Sequence, residues 1–244
     1  MTLNSSDNIQ LSVVVPVYNE ESYITSALEE IISFLEGNQN YSWELIVVDD
    51  GSKDATSNII ENFADNDMRV KCIHYSQNRG KGFAVRTGVL ESVGQFIVFI
   101  DADLSTPIWE IKNALPLLEQ GADLVLGSRA HPASDIIVQP SMYRRLASTI
   151  FDFVRNTIVG LNEFSDTQCG FKAAQSVSIK PIYSQALIDR FMFDVEILFL
   201  AKKSKLDIKE LPVVWKDSPG STVKFWSGVY EMFRDLIFIR RVHG

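Results

Sequence analysis

The chain has 244 residues, with 23 Lys+Arg against 31 Asp+Glu and a formal net charge of -8. Hydrophobic residues make up 46% and charged residues 22%, which excludes an intrinsically disordered chain and allows one sizeable core. The acidic balance speaks against wrapping of nucleic acid, which needs a dense cationic footprint.

Leu11 to Val15 is a β-branched run ending at Pro16, and it predicts a strand. Ile24, Ala27, Leu28, Ile31, Ile32 and Leu35 then recur at helical spacing and stop at Gly37. Leu45 to Val48 predicts a second strand, followed by the turn Asp49-Asp50-Gly51-Ser52. Ser52 is placed to cap a helix carrying Ile59, Ile60 and Phe63. Val70 to Tyr75, Phe96 to Ile100 and Leu124 to Leu126 predict three further strands. Beyond about residue 130 the alternation fails, leaving a helix near 141–158 and a strand near 209–215.

Continuous Val/Ile runs joined by helices predict an α/β fold with a mostly parallel central sheet flanked by helices. In such sheets ligands bind beyond the carboxyl ends of the strands. The residues there are Val17-Tyr18-Asn19-Glu20, Asp49-Asp50-Gly51-Ser52 and Asp101-Ala102-Asp103, all polar or acidic beyond the strand ends. Asp101 and Asp103 offer two carboxylates to a hard divalent cation. Asn78-Arg79-Gly80-Lys81-Gly82 opens a helix, where glycines let backbone N–H groups approach an anion and Lys81 adds charge. Its spacing is neither that of a Walker A loop nor G-x-G-x-x-G.

Taken in order, Val13 to Glu21, Val47 to Asp54, Asn78 to Gly82, Asp101-Ala102-Asp103, Gly127-Ser128-Arg129 and Asp166 to Lys172 resemble the motifs of the family 2 glycosyltransferases of GT-A fold. Within that family the chain is most similar to the polyprenyl-phosphate enzymes, the dolichyl-phosphate glucosyltransferases above all. The resemblance runs from about Leu11 to Trp215. It implies a single Rossmann-like domain and an inverting, metal-dependent transfer of a hexose from a nucleotide sugar to a polyprenyl or dolichyl phosphate. UDP-glucose is the favoured donor, with GDP-mannose second. The donor side would use Pro16, Tyr18, Glu20 and Asp50 for the nucleoside, with Lys81 and Asp101 at the diphosphate. Asp101 and Asp103 would hold Mg2+ or Mn2+, and Asp103 is also expected to be catalytic. Arginines like Arg129 and Arg144 face the lipid phosphate in such enzymes, and Lys224 is expected to join them at the acceptor phosphate, in a segment that the resemblance puts near the donor phosphates and the membrane face. Asp194 and Glu196 lie where relatives carry an acidic catalytic element, although the Glu-Asp order of hydroxyl-acceptor enzymes is absent.

Cys72 and Cys169 are too few for a disulfide framework or a zinc site. Residues 1–10 form a polar tail without the features of a signal peptide. No apolar run approaches the roughly 20 residues that span a bilayer. A cytoplasmic protein with at most peripheral membrane contact is therefore expected. Residues 201–244 carry nine Lys/Arg against five Asp/Glu, whereas the rest carries 14 against 26. Within that basic end, Trp226, Val229, Tyr230, Phe233, Ile237 and Arg240 recur at helical spacing, widened by Phe225, Met232, Leu236 and Ile239, with Glu231, Arg234 and Asp235 on the polar side. The expected organisation is a transferase domain over 11–224 and an amphipathic helix over 225–244, suited to an anionic membrane surface. Two other readings stay open: a family 2 enzyme acting on a glycan or small-molecule hydroxyl, and a non-catalytic nucleotide-binding or membrane-scaffold protein.

Overall fold

A computed structural model describes residues 9–38, 40–138, 142–216 and 225–244, with only the backbone described for 142–147 and 225–229. The elements run β1 (Leu11–Val17), α1 (Ile24–Gly37), β2 (Trp43–Asp49), α2 (Thr56–Asn66), β3 (Val70–His74), α3 (Lys81–Glu91) and β4 (Phe96–Ile100). A 3-10 turn (Ile108–Glu110) leads into α4 (Ile111–Glu119), followed by β5 (Leu124–Ser128), β6 (Asp135–Ile136) and α5 (Met142–Val159). The chain continues with β7 (Phe171–Gln175), α6 (Ser176–Gln185), α7 (Phe193–Lys203), β8 (Ile208–Pro212), β9 (Val214–Trp215) and α8 (Phe225–His243).

Seven strands form one sheet in the order β3-β2-β1-β4-β7-β5-β8. All neighbours pair in parallel except β7, which runs antiparallel between β4 and β5. Strand alternation sends Val13, Val15, Val98 and Ile100 into the core under α1 and α4. Val14, Ile97 and Phe99 point the other way, into a core built with α3, α6, α7 and the buried stripe of α8. Both faces being covered explains why these strands are apolar throughout.

Three local expectations are corrected. Ser52 does not cap the second helix: α2 begins at Thr56 after Ala55, and the Ser52 hydroxyl instead donates to Asp49 Oδ1 at 2.5 Å. The strand expected near 209–215 is two strands in different sheets, because β9 leaves the main sheet to pair with β6. Asp235 lies on the buried side of α8, at 7% exposure, where it accepts from Arg234.

Candidate active site

The site follows from topology. From β1 the chain winds outward through β2 and β3, then crosses back to place β4 on the other side of β1. Such a reversal opens a crevice at the carboxyl ends of the two strands. Pairing of β1 with β4 ends at Val14 opposite Phe99, whereas β1 stays paired with β2 as far as Val17. Pro16 sits beyond the last β1–β4 pair, where its missing N–H costs no ladder bond. It is buried within the strand.

The loops around the crevice are stapled to one another. Asn19 donates its N–H to the Ser52 hydroxyl at 2.9 Å, and its side-chain oxygen accepts from Lys53 N–H at 2.7 Å. Glu20 N–H donates to the Thr56 hydroxyl at 2.8 Å. Asn19 and Leu104, just after β1 and β4, both adopt positive φ, at 56° and 47°. Backbone strain of that kind persists where surrounding structure enforces it. Tyr18 stands at the rim, 43% exposed. Burial pushes the Glu20 carboxyl above its ordinary value, and the negative fields of Asp103, Asp54 and Asp101 add to the shift. Glu20 thus shares one field with the acidic pair.

Asp50 is 3% exposed, and its two oxygens accept from Arg79 N–H and Gly80 N–H, each at 2.7 Å. That makes it the anchor of the glycine loop. Gly80 has φ of 112°, and a Cβ there would meet the Asp189 carbonyl oxygen at 2.4 Å. The loop therefore lies flat against residues 189–190 and delivers Lys81 to the start of α3.

Lys81 Nζ reaches Asp101 Oδ1 at 2.6 Å. Burial would lower the ammonium pKa, but Asp101, Asp194 and Asp103 outweigh it and hold Lys81 above the usual lysine range. Asp101 is cradled from the other side by Gly170, where a Cβ would fall 1.9 Å from Oδ2. Because β7 is antiparallel, its amino-terminal end lies beside the carboxyl end of β4, with Ile100 opposite Phe171. Asp101 N–H donates to Gly170 O at 3.0 Å across that junction. Asp103 Oδ1 accepts from Ser105 N–H at 2.9 Å.

No group of three or more His, Cys, Asp or Glu placed to hold a metal occurs among the described residues. A cation at Asp101 and Asp103 would therefore draw its remaining ligands from water and from substrate oxygens, the usual habit of Mg2+ at phosphate sites. The donor set fits a hard divalent ion, and the ammonium on Asp101 already occupies the place of a positive charge.

Asp194 and Glu196 come from α7 and have separate fates. Alternation along β7 turns Lys172 toward the α7 side of the sheet, where its Nζ meets Asp194 Oδ1 at 2.5 Å; both side chains are 6% exposed. Burial raises the Asp194 pKa against the pull of Lys172 and Lys81. The pair adjoins the crevice electrostatically without opening to it. Glu196 lies deeper still. It has no exposed surface, accepts N–H bonds from Leu187 and Ile188, and binds His243 Nε2 at 2.8 Å. It is a structural anchor between the loop after α6 and the end of α8.

Arg129 follows β5 and is gripped by Asp166, with Nε to Oδ2 at 2.6 Å and Nη2 to Oδ1 at 2.9 Å. Its guanidinium lies 5.6 Å from the centre of the Trp215 ring. Burial would raise the Asp166 carboxyl, but Arg129 overrides this and holds it below the ordinary range. The loop bearing Asp166 is clamped twice. Buried Arg155 donates to the Thr167 hydroxyl and the Phe164 carbonyl, at 2.9 and 3.1 Å, and Glu210 accepts from Ser165 N–H at 2.8 Å. Arg144 belongs to the first turn of α5, but its side chain lies outside the described residues, as does Lys224 altogether.

Of the residues expected from sequence, Glu20, Lys81, Asp101 and Asp103 share one electrostatic field and Arg129 follows β5, while Lys172, Asp166 and Gly170 have no role in that expectation. A lysine inside the buried strand Phe171–Gln175 is the signal that could have found the first of these, since buried charges require partners.

The glycosyl transferase family 2 model matches residues 12–177. The chain is 36% identical over 251 residues to the dolichyl-phosphate beta-glucosyltransferase of Drosophila melanogaster, covering 98% of this chain and 76% of the relative. It is 37% identical to the human protein of the same name (95% and 75%) and 34% to that of Saccharomyces cerevisiae (97% and 76%). Among solved structures, glucosyl-3-phosphoglycerate synthase of Mycobacterium tuberculosis, in complex with Mn2+, uridine diphosphate and glucosyl-3-phosphoglycerate, superposes with a TM-score of 0.67 at 20% identity, covering 95% of this chain and 78% of that one. TarS 1–349 of S. aureus with UDP-GlcNAc gives 0.61 at 21% identity, covering 95% and 66%. At that identity these likenesses show the fold, the GT-A architecture.

Proposed function

Because this chain belongs to glycosyl transferase family 2, we propose that it moves glucose from UDP-glucose to a polyprenyl phosphate of the dolichyl type. The observation that carries the reading is the Asp101–Asp103 pair at the β1/β4 reversal, with Lys81 bound to Asp101 at 2.6 Å. The relatives named for this reaction supply the sugar and the acceptor class.

Tyr18 offers a ring face to the base, and Glu20 accepts from the nucleoside. The amides at the start of α3 and the Lys81 ammonium face the diphosphate. Asp101 and Asp103 would hold Mn2+ or Mg2+, which neutralises charge growing on the departing nucleoside diphosphate. An acceptor phosphate oxygen attacks the anomeric carbon as the bond to the diphosphate breaks, so one displacement inverts the configuration. The phosphate monoester is already anionic near neutral pH and gives up no proton on attack, so no general base is required. Asp194, occupied by Lys172, and Glu196, without exposed surface, support this acceptor over a hydroxyl. Arg129, preset by Asp166, meets the acceptor phosphate, since a guanidinium matches phosphate oxygens.

The acceptor is a membrane lipid, and we assign the protein to the cytoplasmic membrane face. Among the described residues no helix is long and apolar enough to cross a membrane. On α8, however, Tyr230, Phe233, Ile237 and Phe238 are exposed, with Arg234 and Arg241 beside them around a groove of about 360 Å³. Helix α5 packs alongside and adds exposed Ile150 and Phe153. Aromatic and basic residues on one exposed face suit a bilayer interface. The direct test incubates purified protein with Mn2+, labelled UDP-glucose and dolichyl phosphate. Labelled lipid should form, and faster than with GDP-mannose; no glycolipid from any common nucleotide sugar would overturn the proposal.

A further inference from the structure

Lys81 is an unusual first residue for a helix. It opens α3, whose first turn holds no acidic residue, and the amino-terminal end of a helix dipole disfavours a cation. What holds the ammonium there is carboxylate: Asp101 at 2.6 Å, with Asp194 and Asp103 also acting on it. Lys81 and Lys172 both lie over the Phe99 ring, 5.4 and 5.7 Å from its centre. Lys172 is spent on Asp194. The result is a row of alternating charge, Lys172, Asp194, Lys81 and Asp101, ending at the carboxylate that a metal needs. Two ammonium groups offset two of the four carboxylates once Asp103 and Glu20 are included.

We propose that Lys81 is a resident counter-cation that occupies Asp101 until the donor arrives, so that metal and nucleotide are taken up together and neither is well held alone. This rests on the donor-site reading given above. A bare divalent cation has to displace an ammonium at hydrogen-bond distance from a cluster whose own ammonium groups already offset half of its carboxylates. A nucleoside diphosphate changes that balance. Its oxygens add negative charge and cation ligands, and they give the displaced ammonium a partner at the helix start, where anions are favoured. The nearby Asp194 carboxylate keeps Lys81 in a favourable field during the exchange.

The experiment measures free Mn2+ by electron paramagnetic resonance, with and without UDP, and needs no turnover. Wild-type protein should bind Mn2+ weakly alone and more tightly with UDP. Removing a competing unit charge within about 4 Å should tighten Mn2+ binding to Lys81→Gln without UDP by at least about tenfold. The same variant should lose most of the UDP-dependent gain, while Lys81→Arg, which keeps the charge, should behave as wild type. If Lys81→Gln, folded by circular dichroism, binds Mn2+ alone no more tightly than wild type while UDP-promoted uptake is intact in the wild type, the proposal falls by itself. If UDP promotes no Mn2+ uptake in the wild type, the donor-site reading falls with it.

Discussion

Gly170 lies so close to Asp101 that a Cβ on it would sit 1.9 Å from the carboxylate Oδ2 and 2.4 Å from Cγ. The glycine just before the antiparallel strand is therefore the wall against which the first of the two carboxylates proposed to hold the metal rests. Gly170→Ala should push that carboxylate out of place while leaving the sheet paired, because the Asp101 N–H bond uses the Gly170 carbonyl. A displacement near 1 Å at a reacting centre costs about 100-fold in rate. The variant should show that loss in kcat/KM with nearly unchanged melting temperature; full activity would mean that Asp101 does not have to stay where it is.

Asp103→Ala addresses the second carboxylate. One carboxylate cannot fix a divalent ion as two do, so metal-dependent turnover should fall by about 1,000-fold or more, equivalent to roughly 4 kcal/mol of transition-state stabilisation. The Ser105 N–H that Asp103 accepts from lies in the loop after β4, outside the sheet, so circular dichroism should be unchanged. A Mn2+ titration of activity checks the assignment, and an unaltered response to the metal would remove Asp103 from the site.

Asp194→Asn separates a structural carboxylate from a catalytic base. The substitution leaves Lys172 buried with no charged partner, and breaking a buried pair costs about 3 kcal/mol or more. For a chain of this length that is roughly a 10 °C fall in melting temperature. A hydroxyl-acceptor enzyme would also lose turnover in the molecules that stay folded, because the substitution removes its base. Thermal unfolding and residual activity below the new midpoint tell the two apart.

These variants also mark how far the sequence could be read. The strands β1, β2 and β4 were legible because burial on both faces makes them continuous apolar runs. Their carboxyl-end residues then followed from the rule of open sheets. What escaped was set by pairings between distant segments. The strand Phe171–Gln175 carries a lysine and two alanines, and its antiparallel placement between β4 and β5 depends on neighbours more than 40 residues away. Asp194 and Glu196, two residues apart on α7, looked equivalent in sequence. Helical geometry points them to different partners, Lys172 and the Leu187–Ile188 amides. Asp50 read as a nucleoside contact, and its bonds to the glycine loop appear only once residues 50 and 79–80 are folded together.

Glu44 gives the fold a readable pH dependence. It is 1% exposed on β2 and accepts from the Ser12 hydroxyl and Val93 N–H, while Lys71 pairs with it at 2.7 Å. Burial alone would raise its carboxyl, but Lys71, Ser12 and Val93 outweigh it and hold it below the unfolded value of 4.5. A depressed carboxylate adds stability above the unfolded pKa and loses it as pH falls through the folded pKa. Glu44→Gln should therefore cost about 2 kcal/mol at neutral pH, as for hydrogen bonds to a charged group. The gap to wild type should narrow steadily below pH 4.5. Melting curves at several pH values check the sign, and a constant gap would contradict it.

The exposed face of α8 makes the last prediction. Leu236 and Ile239 are buried in the core, so the helix is docked by one stripe, and Phe233 and Ile237 (42% and 44% exposed) form part of another that faces outward. Arg240 and Arg241 follow in the last turn, where the helix dipole favours cations and where they can meet anionic headgroups. Arg240→Ser with Arg241→Ser should weaken sedimentation with phosphatidylserine vesicles by about tenfold or more, at about 1 kcal/mol for each basic residue near such a surface. Phe233→Ser with Ile237→Ser should weaken binding to neutral and anionic vesicles alike, because it removes buried apolar area and no charge. Added salt should erase the arginine effect and leave the apolar one, since only the first is screened. Binding that survives both double substitutions would place the membrane contact elsewhere on the molecule.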